Sequence, residues 1–501
     1  MKATKILRTA AVAVMCLSLL FSVASCSKKA QKSAQEPTSV TVGITQEPGL
    51  FDPHLAVAAG DKEILFNIFE GLYKFSSDGK LQPALATDCA ISDDCKEFTF
   101  DIRKDVKFHD GSVMTADDVI FSTNRAKENN QALASIASVE KVGDNSVKIT
   151  LSTPDSEFLT HATYAIIPQS VEDQNKTPVG TGPFKFKEYV VGQYVSIEKF
   201  ADYWDSSLPY LDEVVFKICA DMDSGLLELQ NGNIDIFPHM TKDKAEMAGD
   251  KFDIVTGSSN MVQIFALNNA VEPFDKKEVR EAINFAVDKQ ELIKLTMDGA
   301  GTELTTGMNP IIGDAYDKSI DGTYKQDLEK AKSLLEQAGY ADGFDMTITV
   351  PSNYLVHVDT AVAIADQLKE IGINAEIKQV DWNAWLSDVY TGRDFQSTVI
   401  CLTPDYAPMS EIARYHSQST DNFINYNNPE VDKLMDSIPS TLDEKERNDI
   451  YHQILHILVE DSCSCFIQDP YEITVVNKDL EGYELYPMYI QDMSKVKFKS
   501  A

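Results

Sequence analysis

Apolar residues recur at every second position near residue 100 and predict a half-buried strand there. The apolar positions are Phe98, Phe100, Ile102, Val106 and Phe108. Asp110-Gly111 follows and predicts a turn, because glycine reaches the positive φ that such turns use. Thr115 then precedes Asp118 by three residues, which is the spacing of a capping box at the start of a helix. The stretch therefore predicts a strand, a turn and a capped helix.

Similar periodicities predict further strands and helices along the chain. The predicted strands are 40–44, 214–218, 346–350 and 373–378, with strand-like residues from 474 to 498. The predicted helices are 63–73, 223–230, 279–287, 328–338 (ended by Gly339) and 357–371. The order strand, helix, strand between 346 and 378 is typical of a parallel pair in an α/β fold. A chain of 501 residues also has room for about three domains.

Residues 81–122 closely resemble the cluster-5 solute-binding proteins of ABC importers, a family with oligopeptide-, dipeptide- and nickel-binding members. The matching residues are Pro83, Leu85-Ala86, Phe98-Thr99-Phe100, Arg103, Val106, Phe108, Asp110-Gly111, Thr115-Ala116, Asp118-Val119 and Ser122. Further matches are the segment 178–184 (PVGTGPF), Tyr203-Trp204 and residues 273–288. The resemblance covers nearly all of the chain after residue 39, and Cys89 departs from it where a tryptophan is usual.

The resemblance implies an α/β, two-lobed periplasmic-binding-protein fold of type II, cluster C, with discontinuous lobes, an extra inserted domain and a hinge. Lobe I is expected in 40–73, 172–267 and 474–501. The inserted domain II is expected in 74–171, and lobe II (domain III) in 268–473. A ligand would lie in the cleft between the lobes, which close around it and exclude water.

The N-terminus has the order of features of a lipoprotein signal peptide. Basic residues precede an apolar stretch at 10–23, and Val23-Ala24-Ser25-Cys26 resembles a lipobox. We expect a signal peptide at 1–26, acylation of Cys26 and a flexible polar tether at 27–39. An ordinary signal peptide with an incidental cysteine is the alternative. Either interpretation predicts export, and the first predicts a membrane-anchored protein in the periplasm or on the cell surface.

The net charge limits the kinds of partner that the protein is expected to bind. The formal net charge is −33, which argues against a general nucleic-acid-binding surface and weakly favours neutral or cationic ligands. Cys89 and Cys95 flank a predicted turn and could pair in an oxidising compartment. Cys463 and Cys465 are interpreted as small buried residues.

The resemblance also implies which residues meet a ligand. Asp405 matches an aspartate that pairs with the α-ammonium group of a bound peptide, although a turn acid is the alternative. The backbone of Cys401, Leu402 and Thr403 would add hydrogen bonds to an extended peptide. Val57, Ala58 and Ala59 are expected to face it from the other lobe. Trp382 and His357 are expected to line the pocket, with a core aromatic and a helix-capping or exposed histidine as the alternatives.

Two departures change the expected pocket. Oligopeptide binders carry an arginine six residues before the aspartate, where this chain has Val399, and Leu402 replaces the usual tryptophan. The pocket is therefore expected to be less basic and roomier. A ligand carboxylate would need another partner, for which Arg393 and Arg414 are candidates.

Two other classes of function, a metal-binding protein and an enzyme, have weaker support in the sequence. Asp449, His452, His456 and Glu460 share one face of a predicted helix, and His416 follows the Asp405 loop, but a solvated polar face accounts for the helix equally simply. The sequence lacks the H-E-x-x-H, G-x-S-x-G and G-x-x-x-x-G-K motifs of common hydrolases and nucleotide-binding enzymes.

We therefore expect a monomeric solute-binding protein for peptides, with no enzymatic activity and no cofactor. Its permease and ATPase would be separate chains. A nickel- or metallophore-binding component is the alternative, and an extracellular hydrolase is a remote one.

Overall fold

The computed structural model describes residues 38–500. The strands of that range are β1 (Ser39–Ile44), β2 (Tyr73–Phe75), β3 (Leu81–Pro83), β4 (Ala86–Ile91), β5 (Glu97–Ile102), β6 (Ile136–Gly143), β7 (Ser146–Leu151), β8 (Phe184–Val190), β9 (Tyr194–Lys199), β10 (Glu213–Ile218), β11 (Ile236–Phe237), β12 (Phe252–Ser258), β13 (Val262–Leu267), β14 (Gly301–Glu303), β15 (Phe344–Pro351), β16 (Ile373–Val380), β17 (Ser397–Leu402), β18 (Cys465–Asn477), β19 (Leu480–Glu481) and β20 (Lys497–Phe498).

The α-helices of the same range are α1 (Ala59–Leu65), α2 (Ala116–Lys127), α3 (Met222–Gln230), α4 (Lys242–Glu246), α5 (Lys277–Ala286), α6 (Lys289–Met297), α7 (Leu328–Ala338), α8 (Leu355–Lys369), α9 (Trp382–Ala384), α10 (Pro408–Ile412), α11 (Pro429–Ser437) and α12 (Glu444–Glu460). A π-helical turn, Trp385–Thr391, continues α9.

A mixed sheet of 12 strands runs through both halves of the described chain, in the order β16-β15-β17-β13-β18-β11-β1-β10-β9-β8, with β12 and β14 also paired to β18. The first half of β18 pairs with β13 and β14, and its second half pairs with β11 and β12. Only Ser259, Asn260 and Met261 separate β12 from β13. The chain therefore crosses between the halves at these two neighbouring points, and the predicted two-lobed fold with a hinge is confirmed.

The apolar residues form separate hydrophobic clusters, as expected for more than one domain. The largest cluster is built from residues between Val262 and Ile467, and another from residues between Leu72 and Val179. The remaining clusters bury β1, β10 and α3 with their neighbours. The domain boundaries given above stay predictions.

Local predictions near residue 100 are confirmed. Phe98 and Phe100 are fully buried in β5. Asp118 accepts a hydrogen bond from the backbone N–H of Thr115 at 2.9 Å, so the capping box begins α2. Gly339 ends α7 with a φ of 88°. The pair β15 and β16 is parallel with α8 between them, as the periodicity predicts.

The helix predicted over 63–73 is wrong in its bounds. The helix α1 covers Ala59–Leu65 instead, although Ile64, Ile68 and Leu72 are buried as expected. The carbonyl oxygens of Asn67 and Ile68 accept hydrogen bonds from Phe184 and Gly182, so they are not available to continue a helix. A Cβ atom on Gly182 would lie 2.6 Å from the Asn67 oxygen, which explains the glycine in the PVGTGPF segment.

The C-terminal residues contribute less strand than predicted. Between β19 and β20 the chain forms an irregular segment that returns to the first lobe. There the Asn67 side chain donates to the Gln491 carbonyl at 2.7 Å and accepts from the Met493 N–H at 2.9 Å. Cys89, Cys95, Cys463 and Cys465 are all free thiols, and the last two are buried as expected.

The predicted signal peptide, Cys26 and most of the predicted tether lie outside the described residues. Within 38–500, none of the helices combines the length and the apolar character needed to cross a bilayer.

Candidate functional site

A cleft of about 1090 Å³ lies between the halves of the molecule. Its walls come from residues 43–75, 160–165, 238–239, 259–261, 403–407 and 472–494. The cleft thus adjoins both crossing points of the sheet, and it is large enough for a ligand of several residues.

One rim of the cleft is a loop that begins at Asp52. Arg125 of α2 forms an ion pair with Asp52 and donates a hydrogen bond to Nδ1 of His54 at 2.9 Å. The other ring nitrogen of His54 donates to the Ala165 carbonyl at 2.8 Å. Burial lowers the pKa of His54, so the neutral ring can fill both roles. These contacts hold the loop that carries Val57, and Val57 is 83% exposed.

Glu70 is a buried carboxylate in the first lobe's wall. It accepts hydrogen bonds from Tyr203 (2.7 Å), Trp204 (2.8 Å) and Thr181 (3.2 Å). Lys74 lies 3.7 Å from it. The PVGTGPF segment and the Tyr-Trp pair therefore converge on one acid, and this gives both sequence motifs a structural role.

His239 stands between two carboxylates on the same wall. Its Nδ1 lies 2.9 Å from Glu472 of β18, and its Nε2 contacts Glu63 of α1. Burial alone would lower the pKa of His239, but the two carboxylates outweigh it and raise the pKa to about 10. The ring is therefore an imidazolium at neutral pH and neutralises one of the two acids.

Aromatic side chains cover much of the first lobe's side. The C-terminal segment contributes Tyr483, Tyr486 and Tyr489 to the cleft. Phe66 packs against Tyr486 with ring centroids 5.8 Å apart, and His239 packs against Tyr489 at 6.0 Å. Such surfaces accept flat or apolar ligand groups without requiring a particular side chain.

The opposite wall carries the loop after β17. Thr403 and Asp405 are exposed in the cleft, and the Asp405 N–H donates to Ser410 Oγ at 3.0 Å. Among residues 38–500, the Asp405 carboxylate accepts no hydrogen bond and forms no ion pair. It is therefore available to a cationic ligand group.

Comparison with known proteins gives the family. Residues 80–423 match the family described as "Bacterial extracellular solute-binding proteins, family 5 Middle". The chain belongs to this family. It is thus a substrate-binding protein of an ABC importer for peptides or related solutes.

Relatives of the family-5 chain match along most of their length. The oligopeptide-binding protein AppA of Bacillus subtilis is 30% identical, with 95% of each chain covered. A glutathione-binding protein, GsiB of Salmonella choleraesuis, is 29% identical over 89% of this chain and 92% of its own. The solved structure of CtaP from Listeria monocytogenes, an ABC transporter substrate-binding protein, matches with a TM-score of 0.83 and 28% identity over 93% of this chain and all of that one. AppA of Bacillus subtilis bound to a nonapeptide matches with a TM-score of 0.71 and 28% identity over the same shares.

The predicted ligand residues occupy different places in this family-5 fold. Val57, Ala59, Thr403 and Asp405 line the cleft, whereas Ala58 is the N-cap residue of α1. Cys401 and Leu402 are the last residues of β17 and are not among the residues that line the cleft, and Leu402 is buried. The ligand roles of all these residues stay predictions.

His357 lies beside β17 rather than in the open cleft. The Cys401 N–H donates to its Nε2 at 3.4 Å, and its Nδ1 is 3.3 Å from the amide nitrogen of Gln263. Burial lowers the pKa of His357 to about 4, so the ring is neutral at neutral pH. Since β15 pairs with β17 only at Ser397, the His357 ring can reach the edge of β17 at Cys401.

Trp382 is half-buried and does not line the cleft. Its ring stacks on Trp385 at 5.2 Å with an interplanar angle of 6°, and Tyr354 approaches it edge-on at 5.4 Å. These contacts are those of an aromatic cluster at the edge of the second lobe's core.

The two arginines considered for carboxylate capture also lie outside the lining residues. Arg393 donates to Asn425 at 3.0 Å, and the Arg414 Nη1 atom is buried without a hydrogen-bond partner among the described residues. The acids that line the cleft are Glu63, Glu70, Asp405, Glu472 and Asp492, against the lysines Lys62 and Lys74. With the imidazolium of His239 added to the lysines, the carboxylates still predominate, and the lining is acidic.

The histidines of α12 are engaged with a neighbouring loop. His456 lies 2.8 Å from Asp317, and His452 lies 2.9 Å from the Asp314 carbonyl oxygen. Within residues 38–500, no group of three or more His, Cys, Asp or Glu side chains is placed to hold a metal ion.

Sequence reasoning missed the Glu63–His239–Glu472 arrangement, Glu70 and the tyrosines of the C-terminal segment. The run from Tyr483 to Tyr489 carried a usable signal, because Pro487 interrupts the strand-like pattern there and three tyrosines recur at every third position around it. The buried acids carried none, since their partners are far away in the sequence.

Proposed function

We propose that this protein is a lipid-anchored receptor that captures peptides in the cleft and delivers them to an ABC permease. The observation that carries the proposal is the Asp405 carboxylate, which is exposed in the cleft and has no partner among residues 38–500. An α-ammonium group is a matching occupant, because a carboxylate facing an ammonium in a closed cleft makes a strong and directional contact.

Backbone pairing supports a peptide over a compact solute. Residues 398–400 and Leu402 of β17 are buried and the Cys401 N–H is taken up by His357, so the backbone that an extended ligand can reach is that of Thr403, directly after the strand. An extended chain added there would gain hydrogen bonds that do not depend on its side chains. The peptide or peptide-like ligands named for AppA and GsiB agree with this proposal.

The acidic, aromatic lining bears on how the peptide is held. Carboxylates outnumber lysines in the cleft, and arginine is absent from its described lining. Affinity would come from the amino terminus, the backbone and apolar side chains, while a terminal carboxylate would extend toward Lys62 or Lys74 or into solvent. Ligands longer than a dipeptide fit this arrangement.

Native mass spectrometry of the protein extracted from its membrane tests the ligand. A ladder of peptide masses released on activation is the expected result. A single non-peptide or metal-bearing mass would contradict the peptide proposal and favour the nickel or metallophore alternative.

The lipid anchor has its own test. Cells expressing the wild-type chain should incorporate labelled palmitate into the protein, and the Cys26→Ala variant should not. Equal labelling of both would contradict acylation at Cys26.

A further inference from the structure

The loop after β17, residues 403–407, is the ligand loop of the second lobe. It contacts the segment 74–171, the predicted domain II. The ring of Tyr406, next to Asp405, packs edge-on against Phe75 with centroids 5.6 Å apart. Gly79 lies against the Tyr406 hydroxyl, which itself donates to the Ile311 carbonyl at 2.5 Å. The Tyr406 side chain of the loop is therefore packed between domain II and the rest of the second lobe.

A second contact reaches the loop through Glu157. This carboxylate accepts hydrogen bonds from the Met409 N–H at 3.2 Å and from the Tyr451 hydroxyl at 2.8 Å. Met409 lies in α10, directly after the loop, and the neighbouring Ser410 accepts from the Asp405 N–H at 3.0 Å. Two hydrogen bonds, connected by the chain from Met409 to Ser410, thus link Glu157 to the backbone of Asp405.

Ser156 fixes the segment that carries Glu157. Its N–H donates to the Pro439 carbonyl and its hydroxyl to the Ile438 carbonyl, each at 2.9 Å. Ser156 is buried, and the Glu157 side chain is only 10% exposed. The contact is therefore a desolvated one, in which the loss of a partner is costly.

We propose that Glu157 is a positioning residue for the ligand loop, by which domain II holds Asp405 at its place in the cleft. The functional part of this statement rests on the proposed peptide function, while the positioning itself does not. Domain II thereby gains a role in positioning Asp405, in addition to the residues at 160–165 that it contributes to the cleft wall.

The charge of Glu157 is not essential to this role. Burial raises the pKa of Glu157, although Tyr451, Met409 and Arg447 (3.9 Å away) lower it, and Asp155 raises it further. A neutral amide can also accept from the Met409 N–H with its oxygen while its nitrogen faces the Tyr451 hydroxyl, which can accept. Glu157→Gln should therefore preserve the link, and Glu157→Ala should remove it.

Hydrogen–deuterium exchange of the full chain without ligand tests the proposal. We expect Glu157→Ala to speed amide exchange in residues 403–412 by about tenfold or more, since the Met409 N–H loses its acceptor at a desolvated contact. Glu157→Gln should remain within about threefold of the wild type by the same measure. The matched control is Glu140→Ala, which removes an exposed glutamate from β6 of the same domain.

Unchanged exchange in 403–412 of the Glu157→Ala protein would overturn the proposal. Faster exchange spread over the whole chain, with no rescue by Glu157→Gln, would also overturn it, because that is the result of a merely structural role. As the measurement uses no ligand, its failure leaves the peptide proposal standing, and failure of the peptide proposal leaves the measurement valid.

Discussion

The Asp469 carboxylate accepts a hydrogen bond from the Ser259 hydroxyl at 2.9 Å, and so it joins the two crossing points of the sheet. It also accepts from Ser258 and from the Met261 N–H, which lies 3.1 Å away. We expect Asp469→Ala to lower the free energy of unfolding by about 2 kcal/mol, since several half-buried donors lose a buried acceptor. Chemical denaturation measures the change. The control is Asp253→Ala, at an exposed position of β12. Equal effects of the two substitutions would show that the hydrogen bonds of Asp469 do not stabilise the crossing points.

His239 should make stability depend on pH in the alkaline range. Its pKa rises from 6.5 to about 10 in the folded protein because two carboxylates outweigh the effect of burial. A base with a raised folded-state pKa contributes stability that is fully present below 6.5 and is lost as the pH rises through about 10. The melting temperature of the wild type should therefore fall more steeply over this window than that of His239→Gln. Parallel curves for the two proteins would show that the carboxylates do not hold a proton on His239.

Asp405→Ala should weaken the binding of peptides with a free amino terminus by about tenfold or more, because a charge-assisted hydrogen bond is lost. Acetylated peptides should bind the variant and the wild type alike. Isothermal titration calorimetry gives the ratio of the variant's affinity to the wild type's affinity for each kind of peptide. Asp342→Ala removes an exposed acid outside the cleft lining and controls for net charge. Equal losses for free and acetylated peptides would remove Asp405 from the ammonium role.

Gly79→Ala should destabilise the protein more than Gly111→Ala does. Both glycines have a positive φ, 75° and 88°, so each substitution carries a backbone cost of about 1 kcal/mol. A Cβ atom on Gly111 would meet open space, whereas one on Gly79 would meet the ring and hydroxyl of Tyr406. The difference between the two free energies of unfolding therefore measures the contact of Tyr406 with domain II. Equal values would show that Tyr406 moves aside at no cost.

Sequence could predict the elements whose signals are local. The alternation at Phe98 and Phe100, the Thr115–Asp118 cap and the Gly339 C-cap each depend on residues within one turn or one strand, and the structure has all of them. The prediction of a helix at 63–73 failed because the carbonyl of Ile68 accepts a hydrogen bond from the Gly182 N–H. Apolar periodicity carries no information on such a distant partner.

The residues of the candidate site also fall into those that the sequence could predict and those that it could not. The motif match located Asp405 on a loop that the structure places in the cleft. The pairing of His239 with Glu472 spans 233 residues, and a single sequence gives no sign of it. For His357 and Trp382 the family resemblance implied a place in the pocket, and neither residue lines this cleft, because a match in position does not say which face of the element meets the cleft.

The contacts of Asn67 with Gln491 and Met493 set a limit on how the chain can fold. They join positions 424 and 426 residues apart, and the central strand of the sheet, β18, is also completed only at Asn477. A chain that is still emerging from the ribosome therefore lacks the pieces that close its first lobe, and contacts of such high sequence separation form slowly. Translation must pass Met493 before these contacts can form, so the first lobe of a nascent polypeptide stays open after the local cluster between Leu72 and Val179 has been synthesised.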